Sequence, residues 1–141
     1  MKRIIVLMLA LVLALTSFAT SHAEESNVAL KELYGIKYVD LTILSAALEI
    51  SGNTASCSGT AKTMVSTDTI KMTMYLQKQT STGWSSVASW STHGKRLVTL
   101  DKSKSGLSAG TYRVRLYIAV YDSNGTFVES ANAYSKLKTI S

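Results

Sequence analysis

The sequence predicts an all-β protein in which about seven antiparallel strands form a β-sandwich. From Leu41 onward, apolar and polar residues alternate with a period of two, which is the pattern of a half-buried strand. Turn signals recur roughly every 8–14 residues, and no segment between them has the period of an amphipathic helix. Because each strand then has one apolar face, two sheets packed face to face are the simplest arrangement, and a small closed barrel is the alternative.

Composition limits the classes of protein to which the chain can belong. Its 141 residues include 15 Lys and Arg, 9 Asp and Glu, one Cys and no Pro. This length accommodates one ordinary domain, or a small domain together with a targeting segment. A single cysteine excludes an internal disulfide framework and a cysteine-based zinc site, and no motif implies a metal or another cofactor.

Residues 1–23 have the three parts of a secretory signal peptide. Lys2 and Arg3 precede twelve unbroken apolar residues, and small residues follow up to Ala23. The apolar run spans about 18 Å as a helix, short of the ~30 Å hydrocarbon core, so we expect cleavage after Ala23 or Ala19. The prediction is a secreted protein, free or associated with the cell wall, with no membrane span in the mature chain.

Residues 24–40 form a leader before the sandwich domain, which we place at residues 41–141. Glu24 to Asn27 are polar, and Val28, Leu30 and Leu33 would share one side of a short helix that ends at Gly35.

Three strands occupy the first half of the predicted domain. Gly52-Asn53 joins the first two as a two-residue hairpin, and residues 67–69 form the turn before the third. Small side chains on the inner face of the second strand leave room for bulky partners from the facing sheet. The predicted inward residues are Leu44, Ala46, Leu48 and Ile50, then Ala55, Cys57, Gly59, Ala61 and Val65, then Ile70, Met72, Met74 and Leu76.

Four strands follow in the second half. A hairpin at residues 80–83 leads into a strand over residues 84–91, in which Trp84 and Trp90 have the same parity and both cover the core edge. A loop at residues 92–95, a short strand from Leu97 to Leu100 and a polar loop at residues 102–110 come next. The strongest strand, residues 111–122, precedes an Asn-Gly turn and a last strand near residues 126–134. Its inward side chains are Tyr112, Val114, Leu116, Ile118 and Val120.

The segment Leu-Ser-Ala-Gly-Thr-Tyr-Arg-Val at residues 107–114 resembles the entry into strand F of immunoglobulin-like domains. Gly110 and Tyr112 match the glycine and the tyrosine whose hydroxyl bonds back to the backbone at that corner. Val114 and Cys57 stand where the family has its disulfide, so the resemblance implies an apolar contact there instead. With its two-tryptophan hairpin, the chain is similar to small secreted immunoglobulin-like proteins of Gram-positive bacteria, whose domains are of unknown function. The resemblance implies an immunoglobulin-like sandwich and transfers no activity.

Catalytic patterns are weak. His93 is the only histidine after the predicted signal peptide, and Ser91, Ser103 and Asp101 lie near it in the sequence. In a chain this rich in serine, such proximity is expected by chance. Sequence spacing pairs no carboxylates for a glycosidase, and Cys57 lies mid-strand on the apolar side as a buried thiol. We therefore predict that the protein is not an enzyme, and an extracellular hydrolase ranks third among its functions.

Outward aromatic and basic residues are the one positive indication of function. We predict a binding surface formed by Tyr75, Arg113, Arg115, Tyr117 and Tyr121. Aromatic rings stack on sugars, and arginine binds carboxylate or phosphate with two parallel hydrogen bonds. The same cross-strand pairs also stabilise a sheet when no ligand is present.

The leading function is accordingly a secreted, non-catalytic module that binds a saccharide or a protein at the cell envelope. Without residues 1–23 the net charge is +4, which favours anionic wall polymers as partners. The alternative is a structural protein that self-associates through edge strands, for which residues 84–91 and the last strand are the candidates. Nucleic acid is not an expected partner, because the chain is predicted to be exported and its basic residues are scattered.

Overall fold

The computed structural model describes residues 39–141, and the predicted signal peptide and nearly all of the predicted leader lie outside these described residues. The described part is all-β and forms no helix, including none long and apolar enough to cross a membrane. It has eight strands, one more than predicted. They are β1 (Leu41–Ser51), β2 (Thr54–Thr63), β3 (Thr69–Thr80), β4 (Gly83–Lys95), β5 (Leu97–Lys104), β6 (Gly110–Tyr121), β7 (Phe127–Tyr134) and β8 (Lys138–Ile140).

The strands form two antiparallel sheets that pack as a β-sandwich, as the alternation predicts. One sheet has three strands in the order β1-β2-β5. The other has five strands, with β4-β3-β6-β7 side by side and β8 also paired with β6. The chain therefore crosses between the sheets after β2, after β4 and after β5. Strands β3 and β6, which are distant in sequence, become neighbours at the centre of the larger sheet.

The core lies between the sheets and consists of the inward side chains of the alternating strands. The sequence predicts that small residues of β2 meet bulky side chains of the facing sheet, and Gly59 of β2 lies against Leu116 of β6. Gly59 shows how tight this contact is, because a Cβ atom added there would lie 2.6 Å from Cδ1 of Leu116. The largest fully buried side chains are Tyr112, Ile70, Met72, Met74, Leu76, Leu116, Ile118, Val114, Val120 and Thr63.

The entry into β6 has the corner that the resemblance implies. The ring of Tyr112 is buried, and its hydroxyl donates a hydrogen bond to the carbonyl oxygen of Ser108 at 2.7 Å. Gly110 has a φ of +148°, which side chains with a Cβ atom rarely adopt. This bond anchors the loop before β6 to the core.

Strand boundaries in the middle of the chain differ from the prediction. The predicted loop at residues 92–95 is wrong, because these residues continue β4 and pair with residues 69–72 of β3. Residues 102–104, predicted as loop, extend β5 along β2. Val65 is 42% exposed rather than inward, since β2 ends at Thr63. Polar composition suggested loops, but the pairing partners keep these segments in the sheets.

A single residue turns the chain from one sheet into the other between β4 and β5. Arg96 has a φ of +63°, in the left-handed region. Its backbone N–H donates to the carbonyl of Asp68 at 3.2 Å, and its carbonyl accepts from the N–H of Thr63 at 2.8 Å. These bonds to residues at the ends of β2 and β3 hold the corner in its strained conformation.

A β-bulge in β4 separates the two tryptophans. Gln77 pairs with Ser86 and Leu76 pairs with Ala88, so Val87 is an extra residue. The prediction that both tryptophans cover the core edge is therefore wrong. Trp90 faces inward opposite Met74 and packs against the core, whereas Trp84 faces the outer side of the sheet.

Candidate ligand-binding face

The outer side of the five-stranded sheet gathers the predicted surface residues. In the pairing of β3 with β6, Tyr75 lies opposite Arg115, and Tyr117 lies opposite Thr73. Arg113 and Tyr121 have the same outward parity on β6, so all five predicted residues share this side. Three further residues contact them. We call the whole set the basic-aromatic face, and its members are Lys71, Tyr75, Trp84, Arg113, Arg115, Tyr117, Tyr121 and Tyr134.

Arg113 lies between two aromatic rings that come from different strands. Its Cζ atom is 4.0 Å from the ring centroid of Trp84 on β4 and 4.5 Å from that of Tyr134 on β7. Its Nε–H donates to Oε1 of Gln77 at 3.0 Å, and Gln77 is itself buried. The hydrogen bond and the two stacking contacts fix the guanidinium in one orientation.

Arg115 and Lys71 repeat this arrangement at other points of the same face. Nε–H of Arg115 donates to Oδ1 of Asn132 at 2.9 Å, and its Cζ lies 5.7 Å from the ring centroid of Tyr75. Nζ of Lys71 lies 4.6 Å from the ring centroid of Tyr121. Three cations are therefore each placed against an aromatic ring. Because the Nε–H group of each arginine donates to a neighbouring amide of the sheet, the two Nη groups of each guanidinium are directed away from that hydrogen bond.

The aromatic residues of this face are partly buried rather than freely mobile. Tyr75, Trp84, Tyr117 and Tyr121 are all of intermediate exposure, whereas Tyr134 is 52% exposed. Side chains held in this way lose little conformational freedom when they contact a ligand. The face can therefore offer a set of ring and guanidinium planes that exists before binding.

A shallow concavity of about 490 Å³ lies on the same sheet, beside these rings. Residues of β3 and β4 line it, namely Lys71, Met72, Thr73, Ser91, Thr92 and His93. None of the five predicted surface residues lines this concavity. They form an open sheet surface beside it. An open surface several strands wide suits an extended ligand better than a small enclosed one.

Charge is segregated over the described residues. The outward positions of the strands that form this face carry Lys71, Lys95, Arg113 and Arg115 and no carboxylate. The carboxylates of residues 39–141 lie in two other places. Glu49 and Asp101 are on the three-stranded sheet. The other four form one group, in which Asp40, Asp122 and Glu129 lie around the buried side chain of Asp68.

Asp68 is the buried member of that acidic group. It is 3% exposed, and its Oδ2 atom has no hydrogen-bond partner. Burial raises the pKa of this carboxyl, and the charges of Asp40, Asp122 and Glu129 and a hydrogen bond with Asp40 raise it further. Among the described residues, no group of three or more His, Cys, Asp and Glu side chains is arranged to hold a metal ion.

Glu129 has a structural function within this group. Its carboxylate accepts backbone N–H bonds from Val39 at 3.0 Å, from Asp40 at 2.8 Å and from Leu41 at 2.8 Å. The start of β1 is thereby tied to β7 of the other sheet. Charge-assisted bonds of this type are stronger than neutral ones, so Glu129 closes this edge of the sandwich.

The residues considered for a hydrolase are not brought together. His93 and Ser91 lie on the outer side of the five-stranded sheet, opposite Lys71 and Thr73. Asp101 and Ser103 lie on the outer side of the three-stranded sheet, beside β2. Because the two pairs face opposite sides of the sandwich, they cannot form one nucleophile, base and acid arrangement.

The strand pairing does bring together two carboxylates that sequence spacing did not. Glu49 and Asp101 both line a concavity of about 410 Å³ on the three-stranded sheet, with Ser56, Ser58 and Ser103 among its other residues. Glu49 is paired with Lys138, its Oε2 atom lying 3.1 Å from the ammonium Nζ. This ion pair links β1 to β8 across the edge of the sandwich.

Cys57 has the environment that its position in the sequence predicts. It is 2% exposed within the core, and burial raises the pKa of its thiol to about 11. A thiol with so high a pKa forms little thiolate at neutral pH and reacts slowly.

Three residues of the face lie outside the predicted set. Lys71 has the same outward parity as Tyr75, whereas alternation could not place Trp84 and Tyr134. Strict alternation assigned Trp84 to the inner side, and the bulge at Val87 reverses that assignment. A second bulge in β7, where Tyr121 pairs with Phe127 and Val120 with Glu129, sets the parity of Tyr134. Neither bulge has a periodic signature, so only the pairing partners could have located these two rings.

Comparison with known proteins identifies no family. No protein-family model and no curated protein matches this chain. One solved structure to which it is similar is an alkylpurine DNA glycosylase of Pseudomonas fluorescens bound to DNA containing an abasic site analog. The sequence identity is 12% and the TM-score is 0.37, and the match covers 69% of this chain and 30% of that one. A similarity at this level carries no conclusion about fold or function.

Proposed function

We propose that this chain is a secreted, non-catalytic module that binds a saccharide on the basic-aromatic face. The observation that carries the proposal is the position of Arg113 between the rings of Trp84 and Tyr134. Strands β4, β6 and β7 each contribute one of these side chains, so the arrangement depends on the whole sheet. Tyr75, opposite Arg115 on β3, and Tyr117, two residues beyond it on β6, extend the aromatic surface.

A saccharide is favoured over a protein partner by the type of surface. Aromatic rings contact the C–H faces of sugar rings, and neighbouring guanidinium groups donate hydrogen bonds to ring substituents. Charged residues are depleted at the centre of protein interfaces, whereas the outer side of β3 combines Lys71, Thr73 and Gln77 with the ring of Tyr75. An extended, partly polar surface of rings fits a chain of sugars better.

The fold is further proposed to be of the immunoglobulin-like type. The orders β1-β2-β5 and β4-β3-β6-β7 and the hydrogen bond from Tyr112 to Ser108 support this. They agree with what the resemblance of residues 107–114 to strand F of immunoglobulin-like domains implies.

Export and a location at the cell envelope are also part of the proposal. Support comes from the positive, apolar and small-residue regions of residues 1–23. The net charge of +4 that remains after cleavage would hold the module near anionic wall polymers in a salt-dependent manner.

A glycan array or a pulldown with insoluble cell-wall polysaccharide tests the proposed function. The triple variant Tyr75→Ala, Arg115→Ala and Tyr117→Ala should lose at least about tenfold in affinity, because each ring contributes about 1 kcal/mol or more to stacking. The matched control is Ser58→Ala, Thr60→Ala and Thr99→Ala on the three-stranded sheet, which should bind as the parent does. Circular dichroism confirms that each variant is folded. Equal binding by both triple variants would remove the face from consideration.

Self-association through an edge strand is a second candidate, and one observation favours it. Strand β4 is an edge of its sheet, and from Gly83 to Gly94 it carries no Asp, Glu, Lys or Arg. Charged side chains are a common protection of an edge against pairing with another chain. Sedimentation velocity should show dimers that Val87→Lys abolishes. A monomer at high protein concentration would contradict this candidate and leave the saccharide proposal intact.

A further inference from the structure

We infer that the saccharide bound by the basic-aromatic face is an acidic polysaccharide whose sugar rings carry carboxylate groups. This inference rests on the proposed function and specifies the chemical class of its ligand. It follows from three properties of the face, which are its charge, the orientation of its arginines and the mixture of rings with cations.

The charge of the face is of one sign. Its charged members are Lys71, Arg113 and Arg115, and the outward positions of the same strands add Lys95 and no carboxylate, whereas carboxylates occur elsewhere among residues 39–141. Neutral sugars present many hydroxyl donors, for which carboxylates are the strongest acceptors in a protein. A face without any carboxylate but with several cationic donors is complementary to a ligand that is rich in acceptors and negatively charged.

The two arginines are oriented for a carboxylate. Arg113 and Arg115 are separated by one residue on β6, so their Cα atoms lie about 7 Å apart on the same side of the strand. Gln77 and Asn132 hold their Nε atoms, and the rings of Trp84 and Tyr75 lie against their guanidinium groups. This leaves the Nη edge of each planar fork for a bidentate contact, which a carboxylate matches in geometry.

The aromatic side chains of the face favour a sugar acid over a polyanion that has no sugar rings. A poly(glycerol phosphate) chain satisfies the cations but offers no ring for Tyr75, Tyr117 or Trp84 to contact. A polyuronate has a pyranose ring and a carboxylate in each residue, so a single strand of it can contact rings and cations in alternation. The interleaving of Tyr75, Arg115 and Tyr117 over neighbouring positions of β3 and β6 therefore favours the polyuronate.

The test compares three polymers by isothermal titration at one ionic strength, with the purified protein. They are polygalacturonate, the same polymer after reduction of its carboxyl groups to alcohols, and poly(glycerol phosphate). We expect polygalacturonate to bind at least about tenfold more tightly than either of the others.

Variants then assign the selectivity to the arginines. Arg113→Gln with Arg115→Gln should lower the affinity for polygalacturonate at least about tenfold and abolish its advantage over the reduced polymer. Lys62→Gln with Lys102→Gln removes the same charge from the three-stranded sheet and should retain both the affinity and the selectivity.

The outcomes separate the two levels of the proposal. If the reduced polymer binds as tightly as polygalacturonate, the ligand is a neutral saccharide, and the inference is overturned while the proposed function stands. If poly(glycerol phosphate) binds as tightly, charge alone governs binding, and the inference again fails. If no polysaccharide binds, or if Tyr75→Ala with Tyr117→Ala changes no affinity, the proposed function itself is wrong.

Discussion

The inner sides of the two sheets together form the hydrophobic core, but the outer sides of the two sheets carry different types of residue. The three-stranded sheet exposes mainly small residues, and the five-stranded sheet exposes rings and cations. The outward residues of β2 and β5 are Ser56, Ser58, Thr60 and Lys62 with Leu97, Thr99, Asp101 and Ser103, and those of β3 and β6 are Lys71, Thr73, Tyr75 and Gln77 with Arg113, Arg115, Tyr117 and Tyr121.

This difference shows that an outer sheet face of this sandwich can form without aromatic side chains. The outer side of the three-stranded sheet consists largely of serine and threonine with a few charged residues and Leu97, and these positions of β2 and β5 hold no aromatic ring. Cross-strand aromatic and cationic pairs would add about 0.2–1 kcal/mol each to stability. Their restriction to one of the two sheets is the contrast on which the proposed binding function depends.

The largest expected effect comes from the inner sides, where the sheets must fit together. Gly59→Ala should lower the free energy of unfolding by about 1–3 kcal/mol, because its Cβ would overlap Leu116 in a packed core. Chemical denaturation measures the loss. Thr60→Ala, the next residue on the outer side of the same strand, is the control and should cost less than about 0.5 kcal/mol. Equal stability of Gly59→Ala and the parent would show that the sheets pack less closely.

The two tryptophans compare the inner and the outer side of one strand. Trp90→Ala should cost about 2 kcal/mol, since this ring packs against the core from a half-buried position. Trp84→Ala should cost less than about 1 kcal/mol, the value of its contact with Arg113, but should weaken ligand binding. Urea titration measures the free energy of unfolding of both variants. A larger loss for Trp84→Ala than for Trp90→Ala would mean that the bulge at Val87 is misplaced.

A smaller effect is expected at the corner before β6. Tyr112→Phe removes the hydroxyl that binds the carbonyl oxygen of Ser108 and should cost about 1 kcal/mol. Thermal denaturation should then show a lower Tm for this variant. Tyr117→Phe changes an outward hydroxyl on the same strand and serves as the control. A Tm that is lowered equally by both substitutions would contradict a special function for the corner.

The smallest expected effect is on the pH dependence of stability, to which the buried carboxyl of Asp68 contributes. Its pKa in the folded protein is raised, whereas the unfolded value is near 3.9. Between these two values the folded state binds more protons, so the stability contributed by this carboxyl is complete below the unfolded pKa and is lost as pH rises through the folded pKa. Asp68→Asn should therefore show a smaller loss of stability between acidic and neutral pH than the parent. Asp101→Asn, on the exposed face, should follow the parent, and parallel curves for all three proteins would refute the assignment.

Much of the fold could be predicted because alternation directly reports which side of a strand is buried. Alternation predicts inward positions for five residues that are all buried in the structure, namely Met72, Met74, Val114, Leu116 and Ile118. The hairpin at Gly52-Asn53 follows from local turn preferences, and the pairing of Ser51 with Thr54 agrees with it. Both signals depend only on residues that are close in the sequence.

The errors occur where a distant partner decides the outcome. Residues 92–95 have the composition of a loop, but β3 extends beside them and keeps them paired. Trp84 and Trp90 have the same parity in the sequence, but the extra residue in β4 places them on opposite sides. The acidic group around Asp68 includes residues from four separate segments, and spacing along the chain contains no information about it.

The amino-acid sequence by itself determined the all-β class and most of the inward residues, because these depend on periodicity, and the resemblance of residues 107–114 to immunoglobulin-like domains implied the tyrosine corner. Only the tertiary structure decided that the rings of Trp84 and Tyr134 meet Arg113, and that carboxylates lie off this face. The physical reason is that strand order and bulges are set by the packing of the whole sandwich. The proposed binding face therefore combines five residues that alternation assigns to the outer side with two rings, those of Trp84 and Tyr134, whose proximity no local pattern encodes.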